Sequence, residues 1–244
     1  VKYEYKNELP PIVEVPKNPS EYKTVEELFL TGSRIKQFHN ATLDAEIYYN
    51  EALKRDQGDI RTNIAFGNIY LKKADYEKAR MYLRTAIKRL TANYTRPESG
   101  EALYLLGVAL KATGEYASAI DTLKRAAWDY TYKAAAFNEL SGISCIQKNY
   151  PLALEQINKS LVANPENFTA LSIKANILRN LGKSEDAKVL MDNVMSIDPL
   201  DFFAISTRYF ASDNNQQLLQ ELKTKMRKSD QKYLELATDF VKIG

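Results

Sequence analysis

The feature of this sequence that most constrains its fold is a set of small residues that recurs at a fixed spacing. Ala119, Ala153 and Ala187 lie 34 residues apart, and Ala45 and Ala79 are separated by the same interval. Between Ala79 and Ala119 the interval is 40 residues, so one unit carries an insertion. Self-similarity at such a period predicts a chain built from stacked copies of one small supersecondary unit.

Other landmarks keep the same register and indicate that each unit is a pair of helices. Gly67 and Gly107 stand twelve residues before Ala79 and Ala119. Small residues at such points let two helices approach closely, because a larger side chain would overpack the crossing. Larger apolar residues are then expected to fill the space between successive pairs: Phe29, Tyr49, Tyr76, Tyr116, Phe137, Tyr150 and Ile157. No pair can cover its own apolar face, so we expect stability to arise from stacking.

This spacing resembles the tetratricopeptide repeat (TPR), whose unit is two antiparallel helices with small residues at fixed points. The resemblance implies an all-α fold, a right-handed superhelical array of antiparallel helix pairs (a TPR solenoid), with a short extended N-terminal segment. We expect the array over residues 25–244, with units near 26–59, 60–93, 100–133, 134–167 and 168–201, a degenerate unit at 202–229 and a truncated one at 230–244.

The first 24 residues read as an extended linker. Val1, Tyr3 and Tyr5 alternate with charged residues, which is strand periodicity, and four prolines follow at positions 10, 11, 16 and 19. A disordered tail and a detached terminal strand plus linker both fit this pattern. The chain begins with Val1 and ends within a helical pattern at Gly244, so we hypothesise that it is a piece of a longer protein.

Several stretches match more than the generic repeat. They are residues 51–56, 58–63, 86–91, 124–128 and 198–201. Together they resemble the repeat region of a bacterial family in which a mutarotase-like β-sandwich domain of unknown function precedes the tetratricopeptide repeats. The resemblance implies that residues 1–24 are the tail of that upstream β domain. It also implies a carbohydrate context for the whole protein, without assigning sugar binding to any residue of this chain.

Composition argues against several classes of function. Thirty-four Lys and Arg face 31 Asp and Glu, a net charge of +3 without a long block of either sign, which gives no reason to expect nucleic acid as partner. No apolar run is long enough to cross a bilayer, and no signal peptide is evident, so we expect a soluble chain.

The sequence offers little for catalysis or for cofactor binding. Cys145 and His39 are the only cysteine and histidine, which excludes an internal disulfide and the usual structural zinc sites. We interpret Cys145 as a buried small hydrophobe and His39 as a surface or capping residue. The glycines form no phosphate-binding loop. We therefore predict a non-enzymatic protein that needs no cofactor.

The remaining candidate for a functional site is the concave surface of the repeat array. In a stacked array the first helices line a concave groove, and the second, fifth, ninth and twelfth positions of each unit face it. Gly142 and Cys145 occupy two of these positions. The candidates for peptide binding are the polar and aromatic residues at the others: Arg34, Asn68, Tyr104, Lys111, Asn138, Asn176 and Arg179. Such side chains can bond a peptide backbone or a carboxylate, although ordinary solvated helix surface would look the same.

The sequence therefore predicts a scaffold that binds a peptide or protein partner on its concave face, the partner being either another protein or the upstream domain of the same chain. One alternative is a module for intramolecular docking or self-association, which clustered exposure of Leu236 and Phe240 on the final helix would favour. Another is an accessory region of a carbohydrate-active or carbohydrate-binding protein whose site lies in a missing domain.

Overall fold

A computed structural model describes residues 14–39, 42–212 and 215–244. All regular structure within these ranges is helical, and the alternating segment at residues 1–6 lies outside them. A short 3-10 turn, Pro19–Glu21, precedes the helices. In chain order the α-helices of the described residues are α1 (Val25–Gln37), α2 (Ala45–Arg55), α3 (Ile60–Lys72), α4 (Tyr76–Leu90), α5 (Glu101–Ala112), α6 (Tyr116–Ala126), α7 (Tyr130–Ile146), α8 (Tyr150–Ala163), α9 (Phe168–Asn180), α10 (Ser184–Ile197), α11 (Phe202–Ala211), α12 (Gln216–Met226) and α13 (Asp230–Val241).

Short polar residues determine where many of these helices begin. An Asp or Asn side chain before the first turn accepts a hydrogen bond from a backbone N–H of that turn, which would otherwise lack a partner. Residues that cap a helix in this way are Asp44, Asp75, Asp129, Asn149, Asn167, Asp201 and Asn215. Prolines set two of the ends, because α8 and α10 stop just before Asn164-Pro165 and Asp198-Pro199.

The chain divides into two compact units, the first ending at Asn63 and the second beginning at Ile64, within α3. In the first unit α1 packs against α2. The ring of Phe29 lies 6.1 Å from that of Tyr49, centroid to centroid. Helix α1 begins with a capping box, in which the Thr24 hydroxyl accepts from the Glu27 N–H and the Glu27 carboxylate accepts from the Thr24 N–H.

The second unit contains successive antiparallel helix pairs, and their crossings confirm the predicted role of the small residues. A Cβ atom placed on Gly67 would lie 2.5 Å from Leu83 Cδ2, and one on Gly107 would lie 2.6 Å from Leu123 Cδ2. Ala119 and its counterparts in the other pairs are fully buried. Only a residue without a side chain allows α5 and α6 to approach this closely.

Contacts between pairs arrange the second unit in two layers. The second helix of each pair contacts the first helix of the next, as α6 does with α7 and α8 with α9. The first helices also contact one another in series, α5 with α7, α7 with α9, and α9 with α11. We call the side of these four helices that carries Tyr104, Lys111, Asn138, Gly142 and Arg179 the first-helix face.

The end of the chain does not show the clustered apolar exposure that would favour docking or self-association through the final helix. Leu236 and Phe240 are both partly buried against the core, and Ile243 is only 8% exposed. The reason lies in the preceding turn, where Arg227 and Lys228 both adopt positive φ angles of 52° and 55°. The chain then enters α13, which packs against α11.

Candidate functional site

Arg34 is the one predicted site residue of the first unit, and it lies on α1 with its side chain exposed. It borders an open cavity of about 880 Å³ whose lining also includes Lys17, Glu21, Tyr22 and Phe38. The lining mixes both charges with aromatic surface. Arg34 is therefore accessible and has an apolar neighbour as well as polar ones.

The other six predicted residues belong to the second unit. Asn68, on α3, is half-buried. Tyr104, on α5, is also half-buried, and its ring centroid lies 5.6 Å from that of Tyr132 on α7. Burial, reinforced by the nearby Glu139 carboxylate and by Tyr132, raises the pKa of Tyr104 to about 12. The phenol is thus neutral at physiological pH and able to donate a hydrogen bond.

Lys111 joins α5 to α7 through a shielded ion pair. Its Nζ lies 2.8 Å from Oε2 of Glu139, and the two side chains are only 11% and 20% exposed. Removing one member of such a pair would leave the other charge poorly solvated. Lys111 therefore has a structural role, and its ammonium group reaches a ligand only in company with the Glu139 carboxylate.

Asn138 and Arg179 have a property that few other side chains share. Within the part of the chain that the structure describes, four buried side-chain nitrogen or oxygen atoms have no hydrogen-bond partner: Arg80 Nε, Asn138 Oδ1, Arg179 Nε and Ser206 Oγ. Two of the four belong to predicted site residues, on the neighbouring helices α7 and α9. Leaving a buried polar atom unpaired costs about 1–3 kcal/mol. Because neither atom is accessible in this conformation, a partner recovers this free energy by bonding to the side chain after it rotates outwards.

Arg179 also contacts an aromatic ring. The carbon of its guanidinium group lies 5.8 Å from the ring centroid of Phe210, on α11. A guanidinium over an aromatic face is attracted by the ring's electron density. This contact orients the Arg179 side chain along the first-helix face towards α11.

Asn176 occupies a different environment. It is 3% exposed, and its Nδ2 donates to the Ser172 carbonyl at 3.0 Å and to the Thr207 hydroxyl at 2.7 Å. The amide therefore ties α9 to α11 inside the core. With almost no exposed surface, Asn176 has a packing role in this structure.

Gly142 and Cys145 mark a part of the first-helix face that the end of the chain covers. A Cβ atom on Gly142 would lie 2.8 Å from the Lys242 carbonyl oxygen, and Gly244 lies against Ile146. Cys145 is 5% exposed and belongs to the same buried cluster as Ile243. Sequence reasoning missed this cover, although the i, i+4, i+7 spacing of Leu236, Phe240 and Ile243 is a signal for one apolar helix face.

The described residues contain neither a candidate metal site nor a candidate membrane-spanning helix. No group of three or more His, Cys, Asp or Glu side chains in residues 14–39, 42–212 and 215–244 is placed to hold a metal ion. Over the same ranges, no helix has both the length and the apolar character needed to cross a bilayer.

Comparison with known proteins places this geometry in context. Residues 59–127 match the tetratricopeptide repeat family. Among solved structures, PilW, a widely conserved type IV pilus biogenesis factor, is 19% identical with a TM-score of 0.70, over 88% of this chain and 98% of that one. PilF of Pseudomonas aeruginosa is 20% identical with a TM-score of 0.66, over 91% of this chain and all of the other.

A third similar structure is YrrB, described as a TPR protein with an unusual peptide-binding site. It is 19% identical with a TM-score of 0.57, over 74% of this chain and 90% of that one. At these identities the likeness concerns the fold. The described chain is an all-α helical repeat array with the fold of tetratricopeptide repeat proteins.

Proposed function

We propose that this chain is a non-enzymatic scaffold that binds a peptide or protein segment on its first-helix face. The observation that carries the proposal is the pair of unpartnered buried atoms, Asn138 Oδ1 and Arg179 Nε, on adjacent first helices. An extended segment, or the end of a helical one, offers backbone N–H groups and carbonyl oxygens, which are the partners that these two atoms lack.

Other side chains of the first-helix face support the same function. Tyr104 presents a neutral hydroxyl, and Lys111 and Glu139 supply a shielded pair of opposite charges. A segment with both polar and charged groups can form charge-assisted bonds with such a surface. We propose Tyr104, Lys111, Asn138 and Arg179 as the main contacts.

The remaining candidates keep a smaller part in the proposal. Asn68, on α3, is a further proposed contact, and Arg34, in the first unit, stays a separate candidate for peptide binding. Asn176 is left out because its amide is buried between α9 and α11. The fold is consistent with this function, because TPR proteins commonly bind peptides or proteins, and YrrB is described as having a peptide-binding site.

A selected peptide can test the proposal directly. A random peptide library would be screened against the chain, and the affinity of a selected peptide would be measured by isothermal titration calorimetry. We expect Asn138→Leu combined with Arg179→Met to weaken binding about tenfold or more. The reason is that each substitution replaces a hydrogen-bonding side chain with an apolar side chain of similar size.

The matched control is Asn158→Leu combined with Arg84→Met. Both residues are exposed, and they lie on the second helices α8 and α4. This variant should bind the peptide as the unchanged chain does. Equal affinity for all three proteins would show that the peptide binds elsewhere and would overturn the proposal.

The finer expectations about the whole protein stay predictions. An upstream β domain and a carbohydrate context follow from the resemblance to one bacterial family, and that upstream domain would itself be a candidate partner. A version of the chain extended at its N-terminus, tested for association with the present chain, would decide whether that domain occupies the first-helix face.

A further inference from the structure

Helix α13 and the residues that follow it lie on the first-helix face. The Phe240 ring packs edge-on against Phe203 and Phe210 of α11, with centroid distances of 5.0 and 5.6 Å. Ile243 enters the buried cluster with Cys145 of α7. The end of the chain therefore extends from α11 to α7 and covers the surface of the intervening α9.

The backbone that follows α13 comes very close to α7. A Cβ atom on Gly142 would lie 2.8 Å from the Lys242 carbonyl oxygen, and 2.6 Å from Nζ of Lys111, which is the far end of a flexible side chain. Gly142 lies within α7, where a glycine destabilises the helix relative to alanine. The tail fits against α7 because this position has no side chain.

The attachment of α13 is nevertheless slight. None of the twelve residues of the helix is fully buried, and its first turn has no side-chain cap. The two residues of positive φ before it, Arg227 and Lys228, are in a conformation that side-chain-bearing residues seldom adopt. Leu236, Phe240 and Ile243 therefore provide most of the apolar contact, which suits a segment that can leave.

Arg179 connects this region with the proposed binding residues. Its guanidinium packs over Phe210, whose ring also contacts Phe240. A segment that replaced α13 would meet Arg179 and the aromatic surface of α11 together. The covered surface and the proposed peptide site are thus continuous.

We propose that the surface formed by α7, α9 and α11 is a binding site for an amphipathic helix with apolar residues at i and i+4 and a further apolar residue just past its C-terminal end, and that α13 together with Ile243 is its resident occupant within the same chain. This inference rests on the proposed function and names the kind of partner: a helix that competes with α13. Recognition is by an apolar helix face in a groove.

The test uses the full chain with α13 released by Phe240→Asp combined with Ile243→Asp. The matched control, Leu234→Asp combined with Val241→Asp, places the same charges on α13 residues that are 68% and 74% exposed. The probe is a fluorescent peptide of residues 229–244, and its binding is followed by fluorescence anisotropy. Helix content of every variant is checked by circular dichroism.

We expect the release variant to bind the peptide at least about tenfold more tightly than the unchanged chain or the control, because its site is vacant. A peptide carrying the same two Asp substitutions should not bind. Cys145, the only cysteine, provides a second readout, since its thiol is buried beside Ile243. It should react with a thiol reagent at least about tenfold faster in the release variant alone.

The outcomes separate this inference from the proposed function. If the thiol becomes reactive but the peptide does not bind, the surface is not a helix site, and the inference is wrong whether or not a selected library peptide depends on Asn138 and Arg179. An unreactive thiol in the release variant would show that α13 does not cover α7, which also overturns it.

A second variant covers the case in which the two Asp substitutions unfold the chain. Gly142→Ala favours helix at α7 but places a methyl group against the Lys242 carbonyl oxygen and Lys111 Nζ. The lysine side chain can rotate aside, whereas the Lys242 carbonyl can give way only if the tail moves. We expect an intact helical spectrum together with faster labelling of Cys145. An intact spectrum with unchanged labelling would contradict the inference.

Discussion

At the scale of single residues, burial determines what the first-helix face can do chemically. Tyr104 keeps its proton because desolvation raises its pKa to about 12. Cys145 is likewise held as a neutral thiol, since burial raises its pKa to about 11. Neither group acts as an anion near neutral pH, so the recognition that we propose for this face would use neutral donors, apolar surface and the charges of Lys111, Glu139 and Arg179.

The raised pKa of Cys145 predicts a dependence of stability on pH. Burial has the largest effect on it, opposed by the nearby Lys111 ammonium and by a hydrogen bond with Ser141. The unfolded chain releases this proton near pH 9 and the folded chain near pH 11. The folded state thus binds more protons between these values, so stability is unaffected below pH 9 and falls as pH rises towards 11.

Urea unfolding of the unchanged chain and of Cys145→Ala would measure this effect. We expect the free energy of unfolding of the unchanged chain, relative to Cys145→Ala, to fall by roughly 2 kcal/mol between pH 8 and pH 10.5. Comparing the two proteins removes the titration of lysine and tyrosine residues. A difference that is the same at both pH values would show that the thiol is not buried.

Asn176 and Arg179 show what sequence spacing cannot resolve at this scale. Both fall at groove-facing positions of the same unit, yet Asn176 is bonded to Thr207 inside the core and Arg179 lies over Phe210. Periodicity gives the side of the helix on which a residue lies. It does not say how closely the next helix will approach that side.

At the scale of helices, the crossings were the most predictable part of the structure. Gly107 and Ala119 mark where helices cross closely, because two helices can approach to a short distance only where the side chains between them are small. Their counterparts recur along the chain, so the pairing of helices could be predicted from the sequence. Short capping residues and the prolines at 165 and 199 determine several of the helix ends.

Gly107→Leu tests this explanation of the crossings. The new side chain would start 2.6 Å from Leu123 Cδ2, a fully buried atom, so α5 and α6 would have to separate. We expect a loss of about 2–3 kcal/mol in the free energy of unfolding, measured by urea denaturation.

Ala117→Leu is the control, since it adds a leucine at an exposed position of α6. Its effect should stay within about 0.5 kcal/mol. Equal stability of Gly107→Leu and the unchanged chain would mean that the helices do not cross at Gly107.

The position of α13 could not be predicted in the same way. Its apolar spacing is visible in the sequence, but the surface that it covers is assembled from α7, α9 and α11, which lie 19 or more residues earlier in the chain. The direction of α13 depends on the backbone of Arg227 and Lys228, both of which have positive φ although neither is glycine. Tertiary packing, rather than local preference, decides where this helix lies.

At the scale of the whole molecule, we assign different roles to the two helices of each pair, with binding on the first helix and stability on the second. In the second unit the first helices contact one another in series, and each second helix closes the core between its own partner and the next pair. Binding residues on this account belong to the first layer, and residues of the second layer serve stability. The two layers should therefore respond differently to a bound partner.

Hydrogen–deuterium exchange of the chain with and without a library-selected peptide is the most direct test of this central claim. We predict slower exchange in α5, α7 and α9, no change in α6, α8 and α10, and faster exchange in α13 if the peptide displaces it. Slower exchange confined to the second helices would contradict the account, because the partner would then bind the face that we assign to stability.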